Sequence, residues 1–188
     1  MFIQSEATPN PATLKFIPGK AVLATGTLDY RSLDDATASP LASSLFGIDG
    51  VEGVFLGQDF ISVTKSESLA WQHLKPAVLG VIMEHYMSGA PVVAGEANSD
   101  AADAEAEDFS PDDQEIVDTI KELIETRVRP AVANDGGDIV FRGFREGVVS
   151  LSMRGACSGC PSSTATLRNG IENMLKHYVP EVLEVRPV

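Results

Sequence analysis

Cysteine is nearly absent from this chain: 188 residues carry only Cys157 and Cys160. Two thiols three residues apart are a poor disulfide framework for a chain of this size. Histidine is almost as scarce, and none of His73, His85 and His177 stands four residues from another His or from a Cys. No apolar run reaches the roughly 18 residues that a membrane-spanning helix needs. The start, Met1 to Glu6, lacks a basic region followed by an apolar stretch, so it is no secretory signal, and it is not an Arg-rich transit peptide. A cytoplasmic protein of bacteria is expected, or the mature form of a mitochondrial matrix protein. Positive charge is also short, with 14 Lys and Arg against 27 Asp and Glu and a net charge of −13. That excludes nucleic acid and anionic membrane as the main partners. There is no P-loop, no GxGxxG and no Ser-His-Asp set, so neither a nucleotide site nor an ordinary enzymatic nucleophile is readable. The chain is not expected to be an enzyme.

What is present divides in two. Hydrophobic residues make up 44% of the chain, enough for each of two small domains to build a core. The boundary is the acidic stretch EANSDAADAEAED from Glu96 to Asp108, which has no basic and no large apolar residue. Such a stretch cannot bury enough surface to offset its ordering entropy. The predicted organisation is a domain over residues 1–92, a flexible acidic linker over 93–109 and a second domain over 110–188. The expected fold class is α+β, as two small sandwich-like α/β domains.

In the first domain, Thr13 to Ile17 alternates as a strand before Pro18-Gly19. Ser39 and Pro40 open a short helix to Phe46. Val51–Leu56 and Phe60–Thr64 pair as a hairpin. A helix over about Leu69–Met87 places Leu74, Val78, Val81, Ile82 and His85 on one face, with Pro76 kinking it or marking its first turn. Trp71 and the methionines read as packing residues. In the second domain, Ser110-Pro111-Asp112-Asp113 predicts a hydroxyl-capped helix start. Ile116, Ile120, Leu123, Ile124 and Val128 continue the helix, which Pro130 should stop. Asp135 to Asp138 reads as a glycine turn, an account preferred over a metal or acid–base pair for its two aspartates. A hairpin follows around Arg145-Glu146-Gly147. Next come the cysteine loop, a helix over about Pro161–Tyr178 with Leu167, Ile171, Met174, Leu175 and Tyr178 on one face, and a last strand over Glu181–Arg186.

The chemistry lies in the loop Gly155-Ala156-Cys157-Ser158-Gly159-Cys160-Pro161. Gly155 and Gly159 allow a tight turn against a bulky ligand. Pro161 at the first helical position sets unpaired helix N–H groups beside Cys160, a field that favours thiolate, the form that binds iron or zinc. Arg154 reads as an exposed structural arginine. A structural zinc or an iron–sulfur cluster usually takes four protein ligands. Half a site in a chain with nothing to complete it points to a second copy supplying the rest. The residues alone leave three readings open: a cluster site, a zinc-bridged interaction module, and a dithiol–disulfide redox protein.

The run from Asp135-Gly136-Gly137-Asp138 through Gly155-Ala156-Cys157-Ser158-Gly159-Cys160-Pro161-Ser162-Ser163 resembles the C-terminal domain of NifU, found in the Nfu family. Thr8-Pro9-Asn10-Pro11, Leu14-Lys15-Phe16 and Pro18-Gly19 resemble that family's N-terminal module. The resemblance implies an iron–sulfur cluster scaffold or carrier. It implies a [4Fe–4S] cluster, one per homodimer, with Cys157 and Cys160 as ligands from each copy and [2Fe–2S] as the other cluster type. The partners it implies are upstream cluster-assembly proteins and apo iron–sulfur clients.

Overall fold

The computed structural model describes residues 1–95, 107–158 and 161–188, with the side chains of residues 161–163 excepted. Most of the predicted acidic linker, and Gly159 and Cys160, lie outside the described residues. The chain divides into two compact units, Met1–Ala102 and Asp103–Val188. Each unit sets helices against a sheet, so the α+β class holds.

The first unit has five strands: β1 (Gln4–Ala7), β2 (Thr13–Ile17), β3 (Leu28–Tyr30), β4 (Val51–Leu56) and β5 (Ile61–Lys65). They form one antiparallel sheet in the order β1-β2-β5-β4-β3. Helix α1 (Pro40–Phe46) starts as expected, with the Ser39 hydroxyl accepting from the Ala42 N–H at 3.1 Å. Helix α2 (Trp71–Ser88) buries Leu74, Val78, Ile82 and His85. Pro76 lies inside α2 rather than at its first turn. Phe16, Leu41, Leu45, Val54, Leu56, Ile61 and Val63 complete a dry core. Two details depart from the sequence reading. β1 and β3 carry no alternating apolar pattern and went unpredicted; both are edge strands paired to stronger neighbours. Met83 and Met87 are exposed, not core packing.

The first helical element of the second unit is a 3₁₀ turn at Pro111–Asp113. Ser110 makes no side-chain cap there, contrary to expectation: the Asp113 N–H donates to the Ser110 backbone carbonyl at 2.9 Å, closing the 3₁₀ turn. Helix α3 (Gln114–Leu123) runs into a π turn (Ile124–Val128) and then helix α4 (Arg129–Asn134). Pro130 therefore does not stop the helix. The Arg129 N–H reaches back five residues to the Ile124 carbonyl, so the ladder is already widened where Pro130 lacks its own N–H. Strands β6 (Asp108–Phe109), β7 (Gly137–Arg145), β8 (Val148–Gly155) and β9 (Glu184–Pro187) form one sheet in that order. β7 and β8 are an antiparallel hairpin; β6 runs parallel to β7 and β9 parallel to β8. Helix α5 (Pro161–Tyr178) connects β8 to β9, and Tyr178 at its end is exposed rather than on the packed face. Val117, Ile120, Ile124, Val128, Val132, Ile139, Phe141, Leu151, Ile171, Leu175 and Val185 fill the core between helices and sheet.

Candidate functional site

The site grows from the end of the β7–β8 hairpin. Gly137 opens β7 and faces Gly155, the last residue of β8. Gly155 sits at φ 66, a left-handed conformation that costs glycine nothing. The chain turns out of the sheet there. The Ala156 N–H donates to the Gly136 carbonyl at 3.2 Å, and the Ser158 N–H and hydroxyl both donate to the Gly155 carbonyl, at 3.1 and 2.9 Å. The Thr164 hydroxyl, in the first turn of α5, donates to the Cys157 carbonyl at 3.0 Å. Cys157 is thus tied to both β7 and α5.

Cys157 is only 6% exposed and belongs to the second unit's apolar core. Burial, with Asp135 and Asp138 nearby, pushes its thiol pKa up to about 12. Thiolate is therefore disfavoured at Cys157. The helix-start expectation concerns Cys160, which lies outside the described residues. Arg154 is buried in β8, not exposed as its charge suggested.

Asp138 also corrects the sequence reading. It belongs to β7, not to a turn, and its carboxylate is buried. Arg129 grips it with both arms, Nε to Oδ1 at 2.9 Å and Nη2 to Oδ2 at 2.8 Å. Oδ1 also accepts from the Ile139 N–H at 2.8 Å. This pair fastens α4 to the strand beneath Cys157. Only its partner, nine residues earlier in a helix the sequence appeared to end, would have revealed it.

Among the described residues, no group of three or more His, Cys, Asp or Glu side chains is placed to hold a metal ion. Also among them, no helix is long and apolar enough to cross a membrane. Of the three histidines, His73 and His85 are in the first unit, His85 buried, and His177 is exposed on α5.

Residues 3–89 match the family described as scaffold protein Nfu/NifU N terminal, and residues 120–186 match the NifU-like domain. A mitochondrial "NifU-like protein 4" of Arabidopsis thaliana is 53% identical, over 97% of this chain and 64% of its own length. A mitochondrial "NFU1 iron-sulfur cluster scaffold homolog" of Homo sapiens is 51% identical, over 100% of this chain and 72% of its own. The chain thus spans about two thirds of the length of these curated relatives. The solution structure of a NifU-like protein from Saccharomyces cerevisiae aligns with 51% of this chain and 87% of its own, at TM-score 0.47 and 25% identity.

Proposed function

The chain belongs to the Nfu/NifU iron–sulfur cluster scaffold family, and from that premise we propose that it carries an iron–sulfur cluster as cargo on Cys157 and Cys160. The observation that carries the reading is the placement of Cys157 where β8 gives way to the loop before α5. Two thiols per chain supply half of a four-thiolate site, so one [4Fe–4S] cluster is held between two copies. A cluster on small loops at a shared face is open to acceptor thiolates. Transfer is then ligand exchange: an acceptor thiolate takes each iron as Cys157 or Cys160 releases it. No redox change and no covalent catalysis are required of the protein. The partners are apo iron–sulfur clients downstream and assembly proteins upstream. Of the two compartments open on sequence grounds, the mitochondrial names of the relatives support the mitochondrial one.

Anaerobic reconstitution with iron and sulfide tests the proposal, read by absorbance, metal and sulfide analysis and solution mass. The expected result is a broad band near ~400 nm, about four irons per dimer and a shift from monomer to dimer. Cys157→Ser and Cys160→Ser should each abolish the cluster without unfolding the chain. A cluster retained by both single variants would sink the assignment. A colourless protein that resists loading would overturn it in favour of redox chemistry, or of the zinc module where zinc is found.

A further inference from the structure

Gly137 is buried directly against the cysteine loop. A β-carbon built on it would lie 2.8 Å from Cys157 Sγ, 2.6 Å from the Arg154 carbonyl oxygen and 3.2 Å from the Cys157 nitrogen. Two of these contacts are with backbone, which cannot step aside as a flexible side chain does. The thiol therefore occupies the space that a side chain at residue 137 would fill. In this seat Cys157 is 6% exposed and packs with the core of the second unit. A thiol so placed cannot share an iron atom with a second copy of the chain.

We propose that Gly137 is the positioning residue for Cys157: it seats the thiol in a retracted state, and the loop must swing the thiol outward before a cluster is bound. This rests on the cluster-carrier reading. Among the described residues the loop is held by polar restraints: Ala156 N–H to the Gly136 carbonyl, Ser158 to the Gly155 carbonyl and Thr164 to the Cys157 carbonyl. Retraction keeps the monomer's first ligand away from stray oxidants and metals until a partner copy or an upstream donor engages the loop.

The test is thiol labelling of the full chain carrying Cys160→Ser, which leaves Cys157 as the sole thiol. With an aromatic disulfide reagent, native protein should react at least ~100-fold more slowly than the same protein in urea, since reaction waits for local opening. Gly137→Ala should speed the native reaction about tenfold or more by unseating the thiol, the size of effect expected when opening becomes easier by one decade. Gly143→Ala is the comparator. A β-carbon there would meet the Asp108 carbonyl at 2.5 Å, a clash of the same kind in the same strand but away from the loop. It should destabilise the unit and leave native Cys157 slow.

A wild-type native rate within about threefold of the unfolded rate would overturn the proposal, because no local opening would then be needed. Equal acceleration by both glycine variants would do the same. Should Gly137→Ala not fold, Thr164→Val takes its place, since it frees the Cys157 carbonyl; acceleration supports the outward swing and an unchanged rate refutes it. Labelling needs no cluster. A protected thiol in a chain that never loads would refute only the carrier reading, and a reactive thiol in a chain that loads would refute only the retraction.

Discussion

His85 is a titratable side chain in the wrong solvent. It is 7% exposed on the packed face of α2, and its Nε2 is buried with no hydrogen-bond partner. Burial lowers its pKa below the ordinary 6.5. The folded first unit therefore prefers neutral imidazole, whereas the unfolded chain takes a proton near pH 6.5. Stability from this residue is present above pH 6.5 and lost as pH falls through the folded pKa, with a slope of at most about 1.4 kcal/mol per pH unit. Trp71 is the chain's single tryptophan and packs edge-on against Phe16 at 6.3 Å, so its fluorescence reports the unfolding of this unit. Urea midpoints should fall between pH 6.5 and 5 in the wild type, and His85→Leu should flatten that dependence; an identical slope in both would remove His85 as its source. At this scale the sequence was legible where a residue's role is set by its near neighbours. Ser39 capping α1 is such a case, and the left-handed Gly155 is another. It was illegible where the role is set across the fold. Cys157 is retracted because of Gly137, twenty positions earlier, and Asp138 is an ion-pair member because of Arg129.

Elements were read well where the apolar period was strong, as in β4, β5, α2, β8 and α5. They were missed at β1, β3 and β6, which borrow their pairing from β2, β4 and β7. The helix through Pro130 failed for another reason. Proline excludes an α-helical hydrogen bond, but a π turn offers a place where that bond is already displaced. The same segment carries the Arg129–Asp138 pair, which gives the irregularity a mechanical use: it sets Arg129 over the start of β7. Arg129→Met should remove the two charged hydrogen bonds that Arg129 gives the buried Asp138 carboxylate, at a cost of about 1.5–3 kcal/mol. Glu125, the other partner of Arg129, has a side chain 66% exposed, so Glu125→Ala should cost under about 0.5 kcal/mol. Adding Asp138→Asn to Arg129→Met should recover part of the loss by removing the buried charge. Amide hydrogen exchange in β7 and β8 of the intact chain would read all three. A loss at Glu125→Ala equal to that at Arg129→Met would mean the buried pair is not the anchor.

The two cysteines are confined to one of the two family matches: both fall in the second, residues 120–186, and the first, residues 3–89, has none. The division was readable because acidic, small-residue composition between two apolar-rich stretches is a compositional signal and needs no tertiary information. Two predicted linker ends carry structure. The Ala94 N–H donates to the Ala38 carbonyl at 2.7 Å, and Glu107 pairs with Lys121. The first unit offers instead a helix, α2, whose outer side carries Met83 at 39% and Met87 at 78% exposure. We infer that the first unit, which has no cysteine of its own, holds a client near the cargo and so raises local concentration without changing the site. Deleting residues 1–95 should therefore leave iron content per dimer unchanged. Transfer to an apo client should slow, and most strongly at low concentration, where tethering matters most. Transfer would be followed by the client's own activity against carrier concentration. If the shortened chain delivers as fast as the full one at every concentration and to every client tested, the first unit has no part in delivery. If it no longer loads, the two units are not independent in function, and the first contributes to the cluster site from outside the loop.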